Sequence, residues 1–387
     1  MAKVGVVQAD LSRLGGGQVV CMNVIESLQR EHEVEVLTAS SVDIESLNEY
    51  ADTSVEDVPV KKLGTIPQLV NKYRGRRFVL LEVALINRYV KSVREEYDVL
   101  ISTVNELSLP GPAVQYVHVP QFDRSSVPGE EVDTTVYSLY NKVCKWLAQY
   151  REEDVTQSKL LANSNWTADV TENIYGIRPE VLYPPIDSQF RSAKPWNDRE
   201  DGFVAVGRIE ATKNYERLIT IVDRLRERGY STHLHIVGPA DSDEYASHIK
   251  DLVEEREYIL YEGKVPRERL FELLSGHKFG LHGKDYEHFG MAVAEMMLAG
   301  EIPFVPRSGG QQEIVNNDAR LLYESEEEAV EKIAFVLEDP HEQESIRQGF
   351  PDAEQQFSRD RFKKRVEEIV REILEEQGQK TNSTVRY

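Results

Sequence analysis

Residues 278–306 read KFGLHGKDYEHFGMAVAEMMLAGEIPFVP. Two short apolar runs, FGLHG and IPFVP, flank MAVAEMMLAG, which reads as a helix stopped by Gly300. A strand, a helix and a second strand in about thirty residues make the repeating unit of a parallel sheet. The same alternation extends outward. Toward the N-terminus it runs through KVGVVQ, EVEVLT, DVLIST, AVQYVHV, KLLANS, GFVAVG, STHLHIVG and YILYEG, with amphipathic stretches such as YERLITIVDRLRERG and DEYASHIKDLVEERE between. It pauses only at YPPIDSQFRSAKPWNDREDG, residues 183–202, whose prolines and charges read as a linker.

The expected fold class is therefore α/β, with two doubly wound, mostly parallel sheets covered by helices on both faces. The expected boundaries are 1–190 and 191–357 for the two domains, 358–376 for a charged, periodic C-terminal helix, and 377–387 for a flexible tail. A chain of 387 residues exceeds one ordinary core. Two such sheets facing one another leave a crevice at the carboxyl ends of their strands, where such folds bind ligands.

Composition narrows the function. The net charge of -21 excludes general nucleic-acid binding, which needs a basic face. Mean hydropathy of -0.47 and the lack of an apolar run near 20 residues describe no membrane-spanning segment. The start, MAKVGVVQADLSRLGGG, reads as a first strand rather than a secretory leader. Two cysteines make no disulfide framework, so the expected location is cytoplasmic. One stretch runs against the overall charge. Residues 61–94 hold nine Lys and Arg against Glu82 alone, interleaved with apolar residues, a pattern suited to peripheral docking on an anionic membrane or to a core helix with a basic outer face.

In EHFGMAVAE, Glu287 and Glu295 bracket Gly290 at the predicted helix start. There the amides of Phe289, Gly290 and Met291 would lack intrahelical partners and suit a phosphate. Carboxylates repel phosphate but accept well from sugar hydroxyls, so the pair suggests a charged centre with hydroxylated ends, the layout of a nucleotide sugar. Arg208 and Lys213 follow Gly207 in a strand-to-helix loop on the same sheet edge and suit a diphosphate whose charge grows as a bond breaks. RSGGQQEIV repeats the glycine-before-helix arrangement at Gly309 and Gly310. In the first half, Gly15, Gly16 and Gly17 open a helix, but Val20 occupies the third position of the dinucleotide fingerprint, which disfavours a dehydrogenase. His118 ends a strand. No His, Cys or Asp cluster has metal-ligand spacing, so no metal is expected, and the DSD at 241–243 sits in a helix-capping position.

Together these residues resemble the GT-B glycosyltransferases of the large retaining family 4. EHFGMAVAE matches its E-x7-E motif, GRIEATKN its Arg/Lys diphosphate loop, LGGG its N-terminal glycine loop and EGKV the turn that holds the base. GGGQ, YVHVP, LLANSNWT and VLYPPID further resemble lipid-linked oligosaccharide mannosyltransferases of asparagine-linked glycosylation. The resemblance implies a GT-B fold with the C-terminal helix crossing back to the N-terminal domain. It implies Glu287 and the 289–291 amides on hexose and phosphate, Glu295 on the ribose, and Arg208 and Lys213 on the diphosphate. It further implies Lys264 and Val265 at the base, Gly16 and Gly17 at the diphosphate, and His118 at the hexose. The implied reaction is hexose transfer from GDP-mannose or a UDP-hexose to a glycan acceptor, without cofactor or required metal. A 2-epimerase of the same fold and a non-catalytic nucleotide-sugar binder remain alternatives.

Overall fold

Ten of the strands lie where the short apolar runs predict them. The computed structural model describes all residues except 13, 64–78, 131–133, 191–193 and 385–387. Its chain divides into two compact units, Met1–Pro185 with Arg359–Tyr387, and Ile186–Ser358. The first holds β1 (Lys3–Val7), β2 (Glu33–Thr38), β3 (Val60–Lys62), β4 (Val99–Ser102), β5 (Ala113–Val117), β6 (Lys159–Ala162) and β7 (Glu180–Val181). The second holds β8 (Glu200–Val206), β9 (Leu234–Val237), β10 (Ile259–Gly263), β11 (His277–Leu281), β12 (Ile302–Pro306) and β13 (Leu322–Tyr323). The edge strands β3, β7 and β13 have only two or three residues, too short to show a pattern in sequence.

The first sheet runs β3-β2-β1-β4-β5-β6-β7 and the second β10-β9-β8-β11-β12-β13, each pair parallel. In each, the chain winds outward from its first strand and then returns to that strand's other side. The loops after β1 and β4 therefore part in opposite directions, as do those after β8 and β11. These are the switch points at which such sheets open a ligand crevice.

Both faces of the first sheet are apolar, as burial under two helical layers requires. Val4, Val6, Val99 and Ile101 pack with Val20, Val24 and Ile25 of the helix Gly16–Leu28, while Val7, Leu37 and Leu100 pack with Leu80, Val83 and Ile86 of the helix Val79–Ser92. The final helix spans Arg359–Thr384 and adds Phe362, Val366, Ile369 and Val370 to the first unit's core. Those positions form one helical stripe, and Arg365 pairs with Glu180 at 2.6 Å beside it. The helix thus runs past residue 376, where the sequence ends it, through Thr384. In the second sheet Phe203, Phe279 and Phe304 form a contiguous aromatic layer, with centroids 5.6 and 6.3 Å apart.

Candidate functional site

At the second unit's switch point, the loop after β8 crosses close to the loop after β9. A Cβ on Gly238 would lie 1.9 Å from the Gly207 carbonyl oxygen, so only glycine allows this approach. Tyr215 donates its hydroxyl to that same carbonyl at 2.9 Å. With the loop held, the aliphatic stem of Lys213 lies over Gly207 and its ammonium meets Glu287 Oε2 at 2.5 Å. Lys284 Nζ stands 3.3 Å from the other oxygen, and His282 Nε2 stands 3.5 Å from Oε2. Burial alone would raise the Glu287 pKa, but Lys213 and Lys284, with His282, hold it well below the usual carboxylate range. His282 is itself pushed down by burial, and its Nε2 is buried without a hydrogen bond among the described residues.

The backbone of Glu287 is clamped. Gly310 N–H donates to its carbonyl at 2.7 Å, and a Cβ on Gly309, at φ 71°, would come within 2.3 Å of that oxygen. Gln311 Nε2 bridges to the carbonyls of Lys284 and Ser308 at 2.9 and 3.1 Å. The helix following these glycines is only Gln311–Ile314. Gly309 and Gly310 therefore seat Glu287, where the sequence suggested a further helix-start anion site.

Gly290, at φ 103°, caps the helix Met291–Leu298, which has no capping side chain and no acid in its first turn. The helix Gly16–Leu28, after Gly15, lacks both as well. Elsewhere Asp43, Ser164, Ser242, Ser325 and Asp339 cap helices with their side chains. Neither of these two glycine-led helices has a capping side chain at its N-terminus, an arrangement that suits an anion. Phe289 is buried and edge-on to Phe357, so its ring belongs to the core. Glu295 is partly exposed, and desolvation pushes it up to about 7, opposed by Arg267 and reinforced by Asp187. Arg208 is partly exposed in the loop of Gly207 and Lys213. At the end of β10, Lys264 is exposed while Val265 packs beside the core.

In the first unit, a Cβ on Gly17 would lie 3.4 Å from Gln8 Nε2 and 3.8 Å from His118 Nε2. The fold therefore brings the helix start Gly16–Gly17 to His118 and to Gln8, the residue after β1. Gln8 Oε1 is buried and unpaired among the described residues. His118 Nε2 stands 3.1 Å from the Thr103 carbonyl, which can only accept, so Nδ1 carries the lone pair. Burial pushes the imidazole down to about 4 and keeps it neutral. Its position is fixed by Asn105 Oδ1, which accepts from the amides of His118 and Val119 at 2.7 and 3.1 Å. Glu106 extends the support by accepting from the amides of Gln121 and Phe122 at 2.6 and 2.8 Å, and burial pushes its carboxyl up to about 7.

Sequence reasoning missed Gln8, His282 and Lys284. Gln8 and His282 each directly follow a strand, so the rule that ligands sit at carboxyl ends could have found them. The basic segment expected over 61–94 fares differently. Lys72, Arg74, Arg76 and Arg77 lie outside the described residues. Lys61 pairs with Glu35 and Glu96, Lys91 with Asp154, and Arg94 is buried among backbone carbonyls. A different feature is exposed nearby. Val136, Leu139, Val143 and Trp146 form an apolar stripe on the helix Thr134–Leu147. No helix among the described residues is long and apolar enough to cross a membrane.

Residues 187–350 match the family model described as glycosyl transferases group 1. The GDP-Man:Man(3)GlcNAc(2)-PP-Dol alpha-1,2-mannosyltransferase of Dictyostelium discoideum is 24% identical over 273 residues, covering 64% of this chain and 52% of that one. The human protein of the same name is 28% identical over 200 residues, covering 46% and 41%. The chain thus spans about half the length of the curated relatives it matches. Among solved structures, Anabaena HepE in complex with UDP-glucose superposes with a TM-score of 0.68 at 15% identity, covering 96% of this chain and 100% of that one. Sucrose-phosphate synthase from Thermosynechococcus elongatus gives 0.71 at 15% identity, covering 96% and 99%. This likeness establishes the fold, the GT-B architecture of two parallel-sheet α/β domains.

Proposed function

Starting from residues 187–350 as a glycosyl transferases group 1 domain, we propose that the protein is a retaining glycosyltransferase. It would move a hexose from a nucleotide sugar to a lipid-linked glycan acceptor. The observation that carries this reading is the Glu287 constellation, an ionised acid held between Lys213 and Lys284 beside the uncapped Gly290 helix, with His282 Nε2 3.5 Å from the same carboxylate. Without ligand, Lys213 neutralises Glu287. A bound diphosphate offers the ammonium a second anion, and Glu287 then accepts from hexose hydroxyls. The names of the curated relatives favour GDP-mannose as donor.

In the proposed reaction the bond from sugar C1 to the phosphate oxygen breaks as the acceptor oxygen bonds to C1 on the same face. The acceptor proton passes to the departing phosphate. Lys213, Arg208 and the open helix amides stabilise the growing negative charge in the way an oxyanion hole does. Those groups take the role a divalent metal could otherwise play, and no metal is required. Glu287 stays ion-paired and is no nucleophile, unlike the second carboxylate of a retaining hydrolase. Isolation of a glycosyl-Glu287 adduct would overturn this assignment.

The test is incubation of the purified chain with GDP-mannose or UDP-hexoses and a polyprenyl-diphosphate-linked oligosaccharide. Acceptor-dependent nucleotide release, with the donor's anomeric configuration kept in the product, supports the proposal. Isomerised donor without acceptor would instead make it an epimerase, and binding without turnover a sensor. A lipid-linked acceptor also fits the exposed stripe of Val136, Leu139, Val143 and Trp146, with Arg88 and Lys145 lining an open cavity beside Trp146. Apolar side chains with cations at their edge suit an anionic bilayer surface. Pelleting with anionic vesicles should fall on Leu139→Ser/Trp146→Ser substitution; unchanged pelleting would remove this surface from the proposal.

A further inference from the structure

Three histidines that the sequence spacing does not connect meet at the amino-terminal end of the second sheet. His233 precedes β9, His235 lies on β9 and His277 opens β11, and β8 runs between those two strands. Gly202 on β8 permits the meeting, because a Cβ there would lie 2.3 Å from His233 Nε2. His233 Nε2 reaches His277 Nε2 at 2.9 Å, and ligating atoms of all three rings lie within 4.8 Å of one another. The strands are parallel, so this end is opposite the loops that carry Lys213 and Glu287.

Two of the rings are oriented as metal ligands are. His277 Nδ1 lies 2.7 Å from the Leu273 carbonyl and must donate to it, which leaves the Nε2 lone pair toward the cluster. His235 Nδ1 lies 2.8 Å from Glu262 Oε1, and Arg269 holds that same oxygen at 3.3 Å. His235 Nε2 is then also a lone-pair donor, with no hydrogen-bond partner among the described residues. A carboxylate or carbonyl on the far nitrogen is the usual support of a metal-bound imidazole. In the ligand-free chain, His233 supplies the proton shared with His277.

We propose that His233, His235 and His277 bind a first-row divalent transition cation, with zinc the class favoured by an all-imidazole set. As the cation enters, His233 changes tautomer, its proton passing through water from Nε2 to Nδ1, so that three neutral imidazoles face the ion. Glu200, whose Oε2 is 3.7 Å from His233 Nε2, or a water completes four-coordination. Two nitrogens on one tetrahedral zinc lie about 3.4 Å apart for bonds of about 2.1 Å, so the 2.9 Å His233–His277 pair opens slightly while wider separations, at most 4.8 Å, close. The site would tie β9 and β11 together across β8, under the helix Arg267–Gly276. Through Glu262 it also touches the β10 end that leads to Lys264 and Val265.

The full chain, stripped with chelator, is titrated with Zn²⁺ and Co²⁺. One equivalent bound, with the intense visible absorption of tetrahedral Co²⁺ and a raised Tm, is expected. His233→Ala and His277→Gln should each weaken binding by at least about 100-fold, the upper end for a disturbed metal shell. If a variant fails to fold, X-ray absorption at the zinc edge of the unaltered chain counts its imidazoles. Three support the site. No bound metal, one imidazole or none, or unchanged affinity in folded variants would overturn it.

Discussion

After β8 the loop presents Lys213 locked to Glu287, with His282 and Lys284 around the same carboxylate. After β1 the equivalent loop presents Gln8 and two glycines, facing a neutral His118. Both places are switch points of the same strand order, so topology does not distinguish them. What distinguishes them is formal charge. The second unit concentrates paired ions that a diphosphate can re-pair, whereas around Gly17 the first places the uncharged side chains of Gln8 and His118. The contrast teaches that one sheet plan, used twice, can carry an ionic cluster in one unit and a neutral cluster in the other.

The sharpest way to break that division is to remove the lysine. Lys213→Ala should lower kcat about 10²-fold, the low end for losing one electrostatic stabiliser of a departing oxyanion. Glu287 keeps Lys284 as a partner, so the fold survives, and circular dichroism can confirm that. An unchanged kcat would show that the charge of the second unit's cluster is structural only.

His118→Asn tests the other side. A neutral hydrogen bond to a hydroxyl is worth about 1 kcal/mol, so a loss of about 5- to 10-fold in kcat/KM is expected. The distinguishing readout is pH. With its pKa pushed down to about 4, His118 stays neutral from pH 6 to 8, and its removal should leave the profile's shape unchanged there. A step near 6.5 that disappears in the variant would place a titrating imidazole in the first unit's cluster and end its description as neutral.

Part of this division was legible in the sequence. Glu287, Lys213 and Gly290 are marked by spacing around glycines, and alternating apolar runs place ten strands. Other features were not visible, for identifiable reasons. Lys284 lies in a loop, and only the fold shows that its ammonium reaches the Glu287 carboxylate. The clamp of Glu287 by Gly309 and Gly310 depends on a close approach of two loops about twenty residues apart, which no local pattern encodes. The His233–His235–His277 meeting needs the strand order and the missing side chain of Gly202. The stripe on Thr134–Leu147 reads in sequence as an ordinary core face, because periodicity gives the stripe and not what covers it.

The smallest effect concerns Glu295, which the resemblance places on ribose hydroxyls. Desolvation pushes its carboxyl up to about 7, so near neutrality the free protein holds it partly protonated. Accepting from a hydroxyl requires the carboxylate. Donor affinity should therefore be full above pH 8 and decline as pH falls through 7, by about fourfold at pH 6.5. Calorimetric titration with the nucleotide sugar measures this, and Glu295→Gln should flatten the decline. Two neighbours move the midpoint in opposite directions. Arg267 favours the charged form, so Arg267→Met should raise the midpoint, while Asp187→Asn removes a repelling charge and should lower it. Asp187 and Arg267 are themselves paired, which makes each substitution disturb the other partner. The sign of the shift, rather than its size, is therefore the decisive result. A midpoint that stays put in both variants would mean the pH dependence belongs to the phosphates of the ligand and not to Glu295.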